Sequence, residues 1–293
     1  MKAIVLTPDR TMSTQKTLVV LAPQPDPRHL SDIARLAEAP QLDHPHIDVV
    51  RMRGANPDQS PSVLERCRAH GYDAAYIDNG QAFADFRLLV SDMDSTLINI
   101  ECIDEIADIK GIKPQVAEIT ERAMRGELDF SAALRERVAL LEGLPEAALR
   151  QVYEERLRLN PGAEQLLAAC RRLGIKTLLV SGGFTYFTDR LKADYGLDHA
   201  YANQLEIVDG KLTGRVQGDI VDAEAKKRLL IATRDALGLR PEQVIAVGDG
   251  ANDLPMLREA GTGVAYHAKP RVSAEADIAI EHGGLDAILR LFH

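Results

Sequence analysis

Three strand-like runs of consecutive apolar residues, Leu88 to Ser91, Thr177 to Val180 and Val244 to Val247, each stop at a polar cluster. Unbroken apolar runs of this length, alternating with helical patterns, are how a parallel sheet covered on both faces reads. Ligands of such sheets gather beyond the carboxyl ends of the strands. Asp92, Ser181 and Asp249 are therefore expected in one crevice, although they are far apart in sequence. Gly263 to Ala265 and Ile278 to Ile280 read as further strands of the same sheet.

Two insertions interrupt this α/β texture. Residues 103 to about 159 carry apolar positions at helix spacing with breaks near Gly111, Gly126 and Gly143, too long for an ordinary crossover, and predict a helical cap. Leu205 to Val216 alternates around Asp209-Gly210, a two-residue hairpin signal. Residues 1 to about 85 have a different pattern, with strands expected at Lys2 to Leu6, Thr17 to Leu21, Ile47 to Met52 and Ala74 to Ile77. Helices are expected at His29 to Glu38 and Pro61 to Ala69. That spacing predicts a small, ferredoxin-like α+β domain, with the larger domain spanning 86–293. His44 and His46, flanked by Asp43 and Asp48, offer no closed ligand set and read as a surface loop.

Composition excludes several classes. The 293 residues are 45% apolar and 27% charged, enough to bury a sizeable core and too apolar for a disordered chain. With 35 basic against 44 acidic residues and no Arg/Lys-rich block, nucleic acid is not an expected partner. No apolar stretch approaches the roughly 20 residues that span a bilayer, and the first residues carry no cleavage-like site, so a cytoplasmic protein without a membrane partner is expected. The three cysteines, Cys67, Cys102 and Cys170, form no Cys-x-x-Cys pair and are expected to be buried thiols.

The strand-end clusters carry the chemistry. Asp92-Met93-Asp94 presents two carboxylates two positions apart, which can divide labour between attack or metal binding and proton transfer. Ser181-Gly182-Gly183 lets backbone N–H groups and a hydroxyl approach an anion ahead of a helix N-terminus. Gly248-Asp249-Gly250-Ala251-Asn252-Asp253 adds hard oxygens of the kind Mg²⁺ prefers. Of the adjacent Lys226 and Lys227, one can turn inward to balance carboxylates and phosphate, and Lys226 is the expected one. In isolation, a solvated acidic turn, a glycine-rich loop and a wet helix face would read the same. Their common position around one sheet separates the two readings.

Together these clusters resemble the haloacid dehalogenase superfamily, whose four motifs occur in order as Asp92 to Thr96, Ser181, Lys226 and Gly248 to Asp253. The run from Leu88 to about Leu291 is similar to the branch acting on phosphoserine, through Asp92 to Ile98, Glu101 to Glu105, Val180 to Phe184 and Gly248 to Asp253. The resemblance implies a Rossmann-like core with a helical cap, and Mg²⁺-dependent hydrolysis of O-phospho-L-serine, the last step of serine biosynthesis. Asp92 would be the nucleophile and Asp94 the acid/base, with Mg²⁺ on Asp92, the Asp94 carbonyl and Asp249. Ser181 and Gly182 would hold the phosphoryl oxygens and Lys226 their charge, with Asn252 in the phosphate surroundings and Asp253 behind the metal ligands. In the cap, Glu101 matches the position that meets the substrate ammonium, Arg137 the carboxylate clamp, and Met124 and Phe130 the apolar lining. Met93 stands where the family often has Phe. Family members often carry an extra α+β, sometimes ACT-like, unit, so the first 85 residues are expected to serve dimerisation or effector binding, or to be an inert appendage.

Two rival readings remain at this stage. A phosphatase or phosphotransferase for another small phosphomonoester would use the same four motifs. A receiver domain also sets Asp, Ser/Thr and Lys on a parallel sheet, but it has no use for Asp94 or for a helical cap.

Overall fold

In the computed structural model, which describes residues 16–292, the chain divides into residues 16–83 with 289–292, and residues 84–288. The first unit runs β1 (Lys16–Leu21), helix Pro27–Leu36, β2 (Gln41–His46), β3 (Val49–Ala55), helix Ser60–Ala69, β4 (Asp73–Asp78). Its strands lie in the order β2-β3-β1-β4 with every neighbouring pair antiparallel, a βαββαβ arrangement. Helix Pro27–Leu36 starts where Asp26 accepts from the Arg28 N–H and Pro27 supplies a preset φ. It buries Leu30 and Ile33 against Val20, Val50 and Met52 of the sheet.

Two expectations for this unit need adjustment, and a third, the strand at Lys2 to Leu6, lies outside the described residues. The strand expected from Ile47 begins at Val49, because Ile47 occupies the β2–β3 turn and is 88% exposed. His44 and His46 lie in the edge strand β2 rather than in a loop; every residue of β2 is exposed and Pro45 interrupts it, so no alternation betrays it. The chain's last turn, expected with the larger domain, belongs with this unit. Arg290 reaches Asp48 at 2.7 Å, and Arg51 donates to the Arg290 carbonyl.

The second unit contains β5 (Leu88–Ser91), β6 (Lys176–Phe184), β7 (His199–Val208), β8 (Lys211–Gln217), β9 (Val244–Gly248), β10 (Thr262–Tyr266) and β11 (Ile278–Ile280). Their order is β11-β10-β9-β5-β6-β7-β8, parallel throughout except for the final hairpin. All residues of β5, β9 and β10 are buried, as consecutive apolar residues covered on both faces require. The chain starts this sheet in the middle: β6 and β7 add on one side of β5, and β9 to β11 on the other. That reversal opens a crevice at the carboxyl end of β5, and the three motif-bearing strands are immediate neighbours there.

The cap consists of helices Cys102–Lys110, Lys113–Met124, Phe130–Ala139 and Ala147–Gln151, followed by a wider turn, Val152–Arg156. Gly111, Gly126 and Gly143, where breaks were expected, all take positive φ at the ends of elements. The two ends of the cap meet in a short antiparallel stem, with an Ile98–Leu159 bridge and the Asn99 N–H donating to the Arg158 carbonyl. The expected hairpin turns at Asp209-Gly210, both with positive φ as a tight two-residue turn demands. Strand β8 then grips the cap: Gly143 N donates to the Leu212 carbonyl, Leu212 N to the Leu144 carbonyl and Glu146 N to the Gly210 carbonyl.

Candidate active site

Strand β5 delivers Asp92 into the crevice with only 5% of its surface exposed. Its Oδ1 accepts the Met93 N–H at 2.7 Å and meets Lys226 Nζ at 2.8 Å. The chain then turns sharply: Asp94 is extended and Ser95 takes a left-handed φ of 56°. A non-glycine residue in that region signals a conformation held by its surroundings. Here Asn160 holds it, donating to the Thr96 and Ile98 carbonyls at 2.8 and 3.0 Å. The turn aims Asp94 at the cap, where its Oδ1 accepts the Cys102 N–H at 3.0 Å. A Cβ at Gly183 would stand 2.6 Å from Asp94 Oδ2, so glycine is what lets this loop lie against the carboxylate.

Strand β9 brings Asp249, whose Oδ1 accepts from the Thr96 hydroxyl at 3.0 Å. Lys226, near the start of helix Ala223–Ala236, is 1% exposed and spans Asp92 and Asp253 at 2.8 Å each. Its neighbour Lys227 stays half-exposed near Glu259, so the choice between the two lysines matches the structure. Asp253 is fully buried, with Oδ1 on Lys226 and Oδ2 accepting the Gly250 N–H.

Carboxylate oxygens of Asp92, Asp249 and Asp253 lie within 4.8 Å of one another. Both Asp253 oxygens already have partners, which leaves Asp92 and Asp249 as the direct donors and Asp253 as the group behind them. Burial and then the Asp253 charge push Asp249 up to about 6, against its hydrogen bond from Thr96. Burial and Asp253 also push Asp92 well above the usual carboxylate range, against the pull of Lys226. Burial alone would drive the Lys226 amine down, and Asp253 and Asp92 overcome it, so the lysine stays charged. Hard oxygens crowded this closely suit Mg²⁺, whose charge relieves their repulsion.

The cap closes a cleft of about 190 Å³ over these groups, lined on the core side by Asp92, Asp94, Gly182, Asp249 and Asn252. From the cap come Glu101, Ile103, Phe130, Leu134 and Arg137. Phe130 lies directly on Gly182, where a Cβ would come within 2.9 Å of the ring. Glu101 accepts from the Ser95 hydroxyl at 2.6 Å, and burial followed by the Asp94 charge pushes it up to about 7. Burial lowers Arg137, opposed by Asp104 and Glu101. Burial likewise raises Asp94, opposed by the Cys102 hydrogen bond.

Ser181 is fully buried, and its Oγ accepts the Gly183 N–H at 2.8 Å. Ser181, Lys226 and Asp253 are buried and do not line the cleft, and Met124 stands apart from it altogether. It is 67% exposed in the last turn of its helix, which turns Val116 and Ile119 inward instead. Two residues passed over in the sequence, Asn160 and Asn203, hold the motif loops through backbone atoms. Cys67, Cys102 and Cys170 are free, buried thiols, and among the described residues no helix is long and apolar enough to cross a membrane.

A doubly flanked parallel sheet with Asp92, Asp94, Ser181, Lys226 and Asp249 at its carboxyl edge and a helical cap above defines a capped hydrolase. Residues 86–261 match the family model of haloacid dehalogenase-like hydrolases, and the chain belongs to that family. Within it, the chain is 58% identical over 213 residues to a phosphoserine phosphatase of Polaromonas sp., covering 71% of this chain and 90% of the relative. Among solved structures, a hydrolase of the same family from Salmonella enterica serovar Typhi superposes with a TM-score of 0.88 at 33% identity, covering 96% of this chain and 99% of that one. A probable phosphoserine phosphatase from Vibrio cholerae superposes at 0.80 with 39% identity, covering 94% and 85%.

Proposed function

We propose that the protein is a phosphoserine phosphatase, hydrolysing O-phospho-L-serine to serine and phosphate. The observation that carries this reading is that Glu101 and Arg137 line one cleft with Asp92 and Asp94. An acid and a base in one small cavity suit the ammonium and carboxylate of an amino acid, with the phosphate directed at Asp92. The name of the Polaromonas relative supports the same substrate.

Asp92 attacks phosphorus, the P–O bond to serine breaks, and an aspartyl-phosphate forms. Serine alkoxide is a poor leaving group, and Asp94, whose carboxyl burial raises above its usual range, gives its proton to that oxygen. Once serine has left, ionised Asp94 takes a proton from the water that attacks the aspartyl-phosphate, regenerating Asp92 and releasing phosphate. Ser181 and the Gly182 backbone hold the phosphoryl oxygens, Asn252 borders them, and Lys226 offsets their charge. Asp92 and Asp249, with the Asp94 carbonyl, would hold Mg²⁺, which would supply further neutralisation of that charge. The chemistry fits a cytoplasmic biosynthetic enzyme whose buried thiols stay reduced, with residues 16–83 either serving dimerisation or effector binding or forming an inert appendage.

The test is phosphate release from a panel of small phosphomonoesters, with Mg²⁺ present and then chelated. Phosphoserine is expected to lead the panel and chelation to stop turnover. A clear preference for an ester lacking either the ammonium or the carboxylate would overturn the substrate.

A further inference from the structure

Parallel pairing between β6 and β7 lapses after Val180 and resumes at Phe184 opposite Asn203. The lapse spans Ser181, Gly182 and Gly183, the residues that must face the phosphate instead of a neighbouring strand. Their backbone groups need other partners, because a buried unpaired carbonyl is costly. Asn203, fully buried, supplies one: its Nδ2 donates to the Gly182 carbonyl at 2.8 Å. Its Oδ1 accepts the Val221 N–H, also at 2.8 Å. Val221 precedes Asp222, which caps the helix carrying Lys226 by accepting the Ala225 N–H at 2.8 Å.

One amide therefore ties the serine loop to the lysine helix. Its effect on Ser181 follows from peptide geometry. The Gly182 carbonyl and the Gly183 N–H belong to one planar trans unit and point in opposite directions. Holding the carbonyl on Asn203 aims that N–H at Ser181 Oγ, which accepts it at 2.8 Å. With a lone pair of Oγ so engaged, the hydroxyl proton is left to donate to a phosphoryl oxygen.

We propose that Asn203 is a positioning residue that acts through Ser181, orienting its hydroxyl as a phosphate donor. This deepens the phosphatase reading and rests on the Ser181 role within it. Inorganic phosphate is the product of any phosphomonoester hydrolysis, so its binding tests the assignment independently of which ester is the substrate.

Phosphate affinity is measured by calorimetry in the presence of Mg²⁺ for the full-length wild type, Asn203→Ala, Ser181→Ala and the double variant, each checked for folding by thermal melting. Asn203→Ala is expected to weaken phosphate binding about tenfold, the scale of one lost hydrogen bond with its partner left buried. In the Ser181→Ala background, the same change is expected to add nothing. Losses that multiply in the double variant would overturn the proposal, since a residue that merely braces the fold lowers affinity whether or not the serine hydroxyl is present. Asn203→Asp keeps the size and the acceptor for Val221 while losing the donor to Gly182, and gives the same cycle if the alanine variant does not fold. Phosphoserine turnover by the wild type is followed in parallel. No turnover together with a non-additive phosphate cycle would sink the substrate reading while upholding Asn203, and normal turnover with additive losses would sink Asn203 alone.

Discussion

In residues 16–83, acids and bases pair in water: Arg28 is 89% exposed beside Asp26, and Arg35 83% exposed beside Asp32. In residues 84–288, Lys226 is 1% exposed between Asp92 and Asp253, and Arg137 lines one cleft with Asp92 and Asp94. Exposed pairs cost little to form and contribute little. Buried ones carry a desolvation penalty that often exceeds their attraction, so stability alone does not account for them. In this protein they coincide with the groups to which the proposed reaction assigns its protons and charge. The difference teaches where a single substitution will alter chemistry and where it will not.

The severest test removes the attacking group. Asp92→Asn is expected to take phosphate release below detection while the melting profile stays cooperative, because an amide neither attacks phosphorus nor binds Mg²⁺ as an anion and Lys226 keeps Asp253. Near-normal turnover would remove the reason for burying these charges. Asp94→Asn comes next, with an expected loss of about 10²- to 10⁴-fold on phosphoserine, the usual range for a general acid–base. An aryl phosphate, whose leaving group needs no proton, should lose much less, and equal losses on both esters would reassign Asp94.

Arg137→Ala sharpens the comparison within the cap. Truncating one partner of a desolvated charge pair costs about 2–5 kcal/mol, whereas a solvated arginine would cost under about 1. The loss is expected in kcat/KM for phosphoserine and not for phosphoethanolamine, which lacks the carboxylate. A common loss would make Arg137 a support for the cap instead. Smaller again is the effect of pH. Burial and the Asp94 charge push Glu101 up to about 7, so as pH falls through that value it takes up a proton and loses the charge assigned to the substrate ammonium. The value of kcat/KM is then expected to fall up to about tenfold per unit below that point, and Glu101→Gln to flatten this limb. The smallest effect belongs to the other region: a fragment of residues 84–288 is expected to keep kcat and its Mg²⁺ requirement, since every group assigned to the chemistry lies within it. Loss of activity in a folded fragment would break the comparison.

What the sequence reveals and what it hides follow the same division. Asp92, Ser181 and Asp249 were legible because buried parallel strands leave unbroken apolar runs, and the sheet's topology dictates that their ends converge. The cap was legible through Gly111, Gly126 and Gly143, which mark helix ends by backbone conformation alone. Asn160 and Asn203 were not, because their partners are backbone atoms 62 to 65 and 18 to 21 positions away, and a peptide group leaves no residue-type signal. Strand β2 was hidden because an edge strand with both faces in water has no apolar period to read. Met124 was placed by resemblance alone, and its helix turns Val116 and Ile119 inward while leaving it exposed.

The grip of β8 on Gly143, Leu144 and Glu146 bears on how the cleft can admit a substrate. A lid joined to its base only through the two chains of the stem could swing about many axes. The hairpin adds a third footing, and it is itself rooted in the core sheet where β7 pairs with β6. Three supports leave a stool free to rock only by lifting one leg or bending it. Admission of substrate must therefore either flex the hairpin arm or release the cap segment from it, and the stiffness of that arm becomes a setting for how fast the enzyme exchanges product for its next substrate.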